Sequence, residues 1–517
     1  MKISNVKLPI EADWEAVKLA ACQAAKLPPE AVIDFRLLKK SLDARKGHPF
    51  QFVYTVELIR EGESFEKTPE VCFVADRRQE EPAPVVVGFG PAGLFCALVL
   101  ARAGLRPVIL ERGAPVEERT AQVEHFWHTG ELNEQSNVQF GEGGAGTFSD
   151  GKLTTLVRDR DGLGRFVLEE FVKAGAPEEI LYTNKPHIGT DILKKVVKHI
   201  REEIISLGGQ IYFNTCMTGI NVQDGRLTGV RAPGKTFETR HLFLGLGHSA
   251  RDTFQMLANM GITMERKAFS VGFRIEHLQS EINKIQYREY AGSPYLAAAD
   301  YKLSHTGAGR RGVYTFCMCP GGQVVAAASQ AGGVVTNGMS NFAREQENAN
   351  SAVLISVLPE DFQGQDVLAG AQFQRALEQN AFAMGGGGYK APAQRLEDFL
   401  AGKISTDIGA IRPSYQPGVT LSDLNKLLPA YLCEELKEGL RVFGRKLPGF
   451  DCADAMLTGV ESRSSSPVRI LRNSETMESI SLSGLYPMGE GAGYAGGIMS
   501  AAMDGIRAAQ KLHLTRA

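Results

Sequence analysis

The order of apolar and polar positions predicts which parts of the chain fold together. From Val85, a short β-branched run typical of a parallel strand buried on both faces leads into an apolar segment of helix length. The next strand, RPVILE, ends at Glu111, so the pattern predicts a strand–turn–helix–strand unit of a doubly wound sheet. An apolar strand followed by a glycine-rich turn and an alanine-rich helix returns only at 479–512. We therefore predict one discontinuous α/β domain built from residues 84–250 and 455–517.

Two further regions flank and interrupt that domain. Residues 1–80 combine strand-like runs with a helix that starts after Asp13, a helix-capping residue type, and a short strand at 70–75 is expected to close this small α+β domain. A charged linker at 77–84 follows. Residues 250–455 mix strands with helices, which predicts an inserted α+β domain that caps the site and supplies a substrate pocket. The predicted fold class is thus α/β, with a Rossmann-like domain, an inserted cap domain and a small N-terminal domain.

Composition and charge are those of an ordinary globular protein. Charged residues make up 22% of the 517 residues, hydrophobic residues 43%, and the formal net charge is -2. This near-neutral balance gives no reason to expect nucleic acid or an anionic membrane as a partner. The apolar stretch at 85–104 is interrupted by glycine, proline and Arg102, so it falls short of the roughly 18 to 20 apolar residues of a spanning helix. No membrane span is predicted.

The eight cysteines are scattered and show neither zinc-ligand nor CxxC spacing. Because the N-terminus also lacks the apolar core of a signal peptide, we expect a reduced, cytoplasmic protein without a metal site. Cys317 and Cys319 are separated by one residue. They are either a redox pair or buried small residues.

A glycine pattern opens the apolar helix. In Gly88-x-Gly90-x-x-Gly93 the first glycine permits a tight turn, the second lets a pyrophosphate approach the backbone, and the third lets helix and strand pack closely. The helix N-terminus offers free N–H groups and a positive dipole end to phosphates. Glu111, about 20 residues further on, can accept two hydrogen bonds from an adenosine ribose and would repel a 2′-phosphate. The pattern favours a dinucleotide site over a glycine-rich turn in some other α/β protein.

Three more glycine-rich segments indicate the same kind of site. The turn at Gly489-Glu490 precedes the helix after Gly497, the strand HLFLGLG ends in Gly247, and GEGGAGTFSDGKLTT forms the glycine-rich loop (residues 141–155). This loop either wraps its backbone against a cofactor or is a flexible surface segment. The predicted cofactor-binding residues are Gly88, Gly90, Pro91, Ala92, Gly93, Glu111, Arg112, Gly143, Gly144, Lys152, Met217, Gly247, Gly489, Glu490, Gly497 and Ile498.

The segments GFGPAGLFCALVLARAG, GEGGAGTFSDGKL, GLGHSARDTF, CPGGQVV and GVESRSSSPVRI resemble the glutathione-reductase-like FAD superfamily and, more closely, a family of bacterial FAD-dependent dehydrogenases. The resemblance covers most of the chain and implies FAD as cofactor. It implies that Glu490 bonds the ribityl chain, that the helix after Gly497 points its N-terminus at the flavin, and that the backbone near Met217 contacts adenine. Lys152 would lie near a phosphate or the flavin edge, unless it is solvated.

The chain departs from the disulfide reductases of that superfamily. It has no CxxxxC beside the first βα unit and no second full GxGxxG for a stable NAD(P)H domain. NAD(P)H, if it is the electron donor, would therefore bind transiently on the flavin face. The donor could instead be the substrate itself.

The resemblance implies an FAD-dependent oxidoreductase that passes a hydride or an electron pair through the flavin, with a small-molecule substrate that the sequence does not identify. Candidates for catalysis are His248 as proton donor, Arg251 as anion clamp and Arg463 as a ligand of substrate oxygens. A helix-capping histidine, a surface arginine and a plain polar loop are the alternatives. Two other hypotheses remain: a flavin-binding redox sensor or scaffold with a protein partner at the N-terminal domain, and an FAD-dependent nucleic-acid-modifying enzyme, against which the net charge argues.

Overall fold

The computed structural model describes residues 1–45, 47–65, 73–74, 82–307, 309–512 and 515–516. The first elements are β1 (Lys2–Pro9), α1 (Trp14–Ala25), β2 (Val32–Asp43) and β3 (Gln51–Arg60). They form an antiparallel sheet of order β1-β3-β2 with α1 packed against it, which we call the N-terminal unit (residues 1–60). The predicted helix cap is confirmed, because Asp13 Oδ1 accepts a hydrogen bond from Ala16 N at 2.8 Å.

A parallel sheet forms the centre of the next region. The elements of this region are β4 (Phe73–Val74), β5 (Val85–Val87), α2 (Pro91–Arg102), β6 (Val108–Leu110), α3 (Val116–Thr129), α4 (Leu163–Lys173), α5 (Thr190–Ser206), β7 (Gln210–Tyr212), β8 (Gly219–Gln223), β9 (Arg226–Ala232), β10 (Lys235–Glu238), β11 (Leu242–Leu244) and α6 (Arg251–Asn259). Together with β23 (Leu485–Pro487), the parallel strands lie in the order β23-β11-β5-β6-β7. This order confirms the α/β class and the doubly wound sheet.

Helix α2 owes its apolar sequence to packing inside the protein. It is covered by α5 and by α11 (Ile498–Gln510), and its residues from Ala92 to Ala101 are all buried. No helix in the described part of the chain is long and apolar enough to cross a membrane.

The cap, which follows α6, is built on a second sheet. Its elements are β12 (Met264–Arg266), β13 (Phe269–Leu278), α7 (Gln279–Tyr287), β14 (Ser304–Thr306), β15 (Gly312–Cys319), β16 (Gln323–Ala326), β17 (Thr336–Met339), β18 (Asn348–Val357), α8 (Ala369–Met384), β19 (Ala391–Arg395), α9 (Leu396–Ala401), β20 (Val419–Leu421), α10 (Ala430–Lys446), β21 (Met456–Glu461) and β22 (Val468–Ile470). The seven-stranded sheet has the order β14-β15-β18-β13-β21-β19-β20, and β12 and β22 form a separate antiparallel pair.

The short strand predicted at 70–75 is described only as β4, and its partner differs from the prediction. β4 pairs antiparallel with β24 (Thr515–Arg516), at the other end of the chain, and the ring of Phe73 packs against Phe166 of α4. The prediction that this strand closes the N-terminal unit is wrong, because a distant segment supplies the neighbouring strand. The linker predicted at 77–84 lies mostly outside the described residues.

The N-terminal unit packs against both other parts of the chain. Lys40 N donates to Tyr182 O at 2.7 Å, and Lys40 O accepts from Asn184 N at 2.9 Å, beside the parallel-sheet domain. On the cap side, the ring of Phe50 stacks on that of Tyr290 with centroids 4.6 Å apart. The unit therefore bridges the two larger parts.

None of the seven described cysteines forms a disulfide. Cys319 is buried, as the interpretation of a small core residue requires. Cys317 is exposed and contradicts that interpretation.

Candidate functional site

The candidate site lies at the carboxyl end of the parallel sheet, where the strand order changes direction between β5 and β11. Ligands of open α/β sheets bind at such switch points. Gly88, after β5, has a φ of 89°, and a Cβ there would lie 2.5 Å from Gly245 O. At Gly93 a Cβ would overlap the carbonyl oxygen of Gly88. β5, α2 and β11 therefore approach one another through backbone alone, as the glycine pattern predicts.

Two helix N-termini and the glycine-rich loop meet at this point. α2 begins after Gly90 and α11 after Gly497, and in the described structure neither N-cap makes a side-chain hydrogen bond. A Cβ on Gly144 would lie 3.0 Å from Gly90 Cα, and one on Gly146 would lie 3.0 Å from Ile498 Cγ1. Two positive dipole ends thus border the same crevice.

Arg119, on α3, fixes the conformation of the segment that leads into this loop. Its side chain is fully buried and donates to the carbonyl oxygens of Asn137, Val138 and Glu142. Three backbone carbonyls are thereby tied to one cation. No pattern in the sequence indicates this role, because Arg119 is one of many charged residues in a polar helix.

Glu111 ends β6 and is buried. Its Oε2 accepts from Phe89 N at 2.7 Å, and its Oε1 accepts from Gly113 N and Gly141 N, both at 2.9 Å. The carboxylate ties the turn after β5 to the glycine-rich loop. Each carboxylate oxygen accepts about two hydrogen bonds, so one acceptor position remains, on Oε2. The sequence predicts two hydrogen bonds to a ribose at this residue.

Arg112 has protein partners at the same edge of the sheet. Its Nη2 donates to Cys216 Sγ at 2.9 Å and to Asp252, and its guanidinium lies 4.5 Å from the ring centroid of Phe140. Met217 is buried in the same apolar cluster as Phe140. Arg112 and Met217 therefore lie together, near the carboxyl ends of β6 and β7.

A buried carboxylate joins two of the candidates for catalysis. Glu378, on α8, is fully buried and accepts two hydrogen bonds from Arg251, at 2.7 and 2.8 Å, and two from Arg463, both at 2.9 Å. Ser462 Oγ donates a fifth at 2.8 Å. Against the effect of burial, the charges of Arg463 and Arg251 hold the pKa of Glu378 well below its usual range. We call these three charged residues the Glu378 cluster.

The Glu378 cluster differs from the predicted anion clamp. The terminal nitrogens of Arg251 donate to Glu378, Gln330 and Gln374, so all four of their N–H positions have protein acceptors. Arg463 is buried and bonded to the same carboxylate. Arg251 therefore joins the parallel-sheet domain to the cap, Arg463 bonds to the same carboxylate from within the cap, and neither projects towards an external anion.

His248 follows the exposed Gly247 and is half-buried. Its Nδ1 lies 2.9 Å from Ser249 Oγ. Burial, followed by the charges of Arg463 and Arg251, lowers the pKa of His248 to about 3. The imidazole is thus neutral at pH 7, and it lacks the extra proton that the predicted role as a proton donor would use.

The turn after β23 carries the last predicted site residues. Gly489 N donates to Asp504 Oδ2 at 2.8 Å, which holds the turn to α11. The neighbouring Glu490 is half-buried, and its carboxylate makes no hydrogen bond with any residue that the structure describes. Burial raises the pKa of Glu490 to about 7, and the charge of Lys267 opposes this rise. An unpartnered carboxylate therefore borders the crevice.

Lys152 makes its polar contacts with the cap and within the glycine-rich loop. Its Nζ donates to Met318 O on β15 and lies 3.9 Å from a carboxylate oxygen of Asp150. The side chain therefore connects the glycine-rich loop to the cap.

Known proteins match the whole chain and two parts of it. Residues 268–464 match the family described as FAD-dependent protein, C-terminal domain-like, and residues 1–59 match a domain of unknown function, DUF8436. An uncharacterized protein of Clostridium beijerinckii is 47% identical over 526 residues, which cover 99% of this chain and 98% of the relative. The chain belongs to the same family. Its cap is similar to the C-terminal domain of FAD-dependent proteins.

Several solved structures are similar to the chain at low identity. Glycine oxidase from Bacillus cereus has a TM-score of 0.33 at 11% identity, covering 83% of this chain and 94% of that one. L-amino acid deaminase from Proteus vulgaris has a TM-score of 0.35 at 11% identity, covering 88% and 93%. Glycerol-3-phosphate dehydrogenase from Bacillus halodurans, complexed with FAD, has a TM-score of 0.36 at 12% identity, covering 85% and 66%. Likeness at these scores does not extend to a site or a substrate.

Proposed function

We propose that the chain binds FAD in the crevice at the carboxyl end of the parallel sheet and acts as an FAD-dependent oxidoreductase on a small-molecule substrate. The observation that carries the proposal is the convergence of two uncapped helix N-termini on the glycine-rich loop, beside the switch point of the sheet. The match of residues 268–464 to an FAD-dependent protein family supports the choice of cofactor.

The donors and acceptors of the crevice fit a dinucleotide that carries a ribityl chain. N–H groups at the start of α2 suit a diphosphate, and Gly90 has no side chain to block its approach. Glu111 has one acceptor position for a ribose hydroxyl, and Glu490 has its full set of acceptor positions for ribityl hydroxyls. Arg112 and Met217 would then border the adenosine.

Bound flavin takes up and returns an electron pair, which is the chemistry that an oxidoreductase needs. The protein groups contribute positioning and charge. The N-terminus of α11 would favour negative charge beside it. His248, neutral at pH 7, would act as a hydrogen-bond donor or acceptor. Arg251 would act indirectly, by holding the turn that carries His248 against Glu378 of the cap, and Arg463 would position that carboxylate.

Absorption spectroscopy tests the cofactor assignment. Protein that is incubated with FAD and freed of excess should keep a band near 450 nm, roughly where oxidised flavins absorb. A suitable electron donor should bleach this band in the absence of oxygen. Protein that retains no FAD contradicts the binding site. Bound flavin that no reduced nicotinamide, amino acid or hydroxy acid bleaches contradicts the oxidoreductase activity.

The substitution Gly90→Ala tests whether the diphosphate approaches the backbone at this residue, without disturbing the fold of the free protein. At Gly90 φ is −77°, and the added Cβ would lie 3.5 Å from Gly144 Cα, an ordinary contact, so the free protein should keep its stability. In the proposed complex the methyl group stands where the diphosphate approaches. We expect the FAD dissociation constant, measured by fluorescence titration, to rise about tenfold or more, which corresponds to about 1.4 kcal/mol.

Gly312→Ala, in the cap sheet, is the matched control. Its Cβ would also make only an ordinary contact, 3.4 Å from Ser356 Oγ. FAD affinity should therefore equal that of the unsubstituted protein. If Gly90→Ala and Gly312→Ala bind FAD equally well, the diphosphate does not lie at α2.

A further inference from the structure

At the edge of the crevice an ammonium and a carboxyl group lie close enough for their charges to interact, but they do not form an ion pair. Lys267 lies between β12 and β13, Glu490 follows β23, and both side chains are half-buried. Each charge acts on the other, yet Nζ and the carboxylate are more than 4.0 Å apart in the described structure. Because burial makes an uncompensated charge costly, each of these groups favours a polar partner.

Neither group has a full set of hydrogen-bond partners among the described residues. The Glu490 carboxylate accepts no hydrogen bond from a described residue, and the contact recorded for Lys267 Nζ is a long one, 3.4 Å from the carbonyl oxygen of the adjacent Ala268. The nearby Arg469, by contrast, pairs with Glu265 at 3.1 Å. Burial, followed by the charge of Arg469, lowers the pKa of Lys267. The ammonium of Lys267 therefore has N–H donors without a close acceptor, and its burial disfavours the charge.

The backbone holds both groups beside the turn after β11. Lys267 N donates to Pro467 O at 2.9 Å, and Ser466 Oγ donates to Gly491 O at 3.0 Å. A Cβ on Gly491 would lie 2.9 Å from Gly247 O. The first residues of the cap, the turn of Glu490 and the turn of Gly247 therefore form one wall.

We infer that Lys267 is a ligand-binding residue of the crevice, where its ammonium and the Glu490 carboxylate together hold the ribityl diphosphate part of FAD. Such a ligand carries anionic oxygens that pair with the ammonium and hydroxyl groups that donate hydrogen bonds to the carboxylate, so it gives both groups a partner. The inference rests on the proposed FAD site and adds to it a cation that the cap supplies.

FAD affinity of the full-length apoprotein, measured by fluorescence titration, tests the inference. Lys267→Gln should raise the FAD dissociation constant about tenfold, the usual worth of a hydrogen bond to a charged group. Lys267→Arg keeps the charge and should retain most of the affinity. In a double-mutant cycle with Glu490→Gln, the two losses should not multiply, because both residues hold one ligand.

Lys40→Gln is the control, since Lys40 is also half-buried with a lowered pKa but lies in the N-terminal unit. It should bind FAD as the unsubstituted protein does, and the thermal stability of each apoprotein shows whether it is folded. An FAD affinity of Lys267→Gln within twofold of that of Lys40→Gln overturns the role of Lys267 and leaves the FAD site standing. An unsubstituted protein that binds no FAD overturns both.

Discussion

At the scale of single residues, Glu378 determines whether two buried arginines are tolerated. Its carboxylate is the shared partner of Arg251 and Arg463, and none of the three side chains is more than 10% exposed. Glu378→Gln would leave two guanidinium groups buried without their counterion. Breaking a buried pair in this way costs about 3 to 5 kcal/mol. We expect a loss of that size in the free energy of unfolding, measured with urea.

Glu117→Gln makes the same chemical change at an exposed position. Glu117 pairs with Arg201 at 2.7 Å and with Lys198 at 3.2 Å, but its side chain is 47% exposed. Exposed pairs are worth about 0 to 1 kcal/mol. If the two glutamine variants lose similar stability, the Glu378 carboxylate is not needed to compensate the buried charges of Arg251 and Arg463.

The sequence predicts the role of a residue best when that role depends on residues nearby in the chain. Gly88 and Gly93 are only five residues apart, so their spacing alone indicates the close approach of strand and helix. Glu378 is 127 residues from Arg251 and 85 from Arg463, and it sits in an ordinary amphipathic helix. No local pattern connects these three, so the arginines were expected to face a ligand.

At the scale of elements, Arg119 makes helix α3 a support for the glycine-rich loop. Its guanidinium reaches Asn137 O at 2.9 Å and Val138 O at 3.0 Å through different nitrogens. Lysine keeps the charge but offers one nitrogen, so Arg119→Lys cannot keep all of these bonds. We expect faster hydrogen exchange at residues 137–144 and weaker FAD binding, both measured on the purified protein.

Arg274→Lys provides the comparison, because Arg274 is equally buried but belongs to the cap sheet. There it bonds to Glu461, Asn337 and the carbonyl oxygen of Cys317. The substitution should reduce stability and leave exchange at 137–144 unchanged. Equal exchange of that segment in both variants would show that Arg119 only stabilises the fold.

Element types were more predictable than their partners. Apolar periodicity indicates α2 and β5 correctly because both are defined by local hydrogen bonding and burial. The sequence also predicts the strand at 73–74, but its pairing with Thr515–Arg516 joins segments more than 400 residues apart in the chain. Strand pairing is a contact between distant segments, and no local pattern in a single sequence indicates which strands will pair.

At the scale of the whole molecule, the sequence predicts that the C-terminal segment returns to the parallel sheet. It does not predict how the N-terminal unit docks. The apolar strand Leu485–Pro487 pairs with β11, as a discontinuous domain requires. The docking surfaces around Phe50 and Tyr182 consist of a few aromatic and backbone contacts from each side. Such contacts have no periodicity, so the sequence suggests a protein partner as the role of this unit and does not indicate its docking.

Two tryptophans can report separately on this docking. Trp14 lies in the N-terminal unit, 6.4 Å between ring centroids from Tyr182, and Trp127 donates from Nε1 to Ala326 O, where the parallel-sheet domain meets the cap. In variants that keep only one of the two, urea unfolding should show the same midpoint for both reporters, because the docked unit unfolds with the rest of the chain.

Phe50→Ala should separate the two transitions. Phe50 is 3% exposed, stacks on Tyr290 and meets Tyr287 edge-on at 6.0 Å, so its loss should cost about 3 to 5 kcal/mol at the docking surface. The Trp14 midpoint should then fall below that of Trp127. Phe237→Ala removes a ring of similar burial from the β8-β9-β10 sheet, away from this surface, and should move both midpoints together. If the midpoints still coincide in Phe50→Ala, the backbone contacts of Lys40 suffice to hold the unit, and the aromatic stack is not what makes the three parts of the chain one cooperative structure.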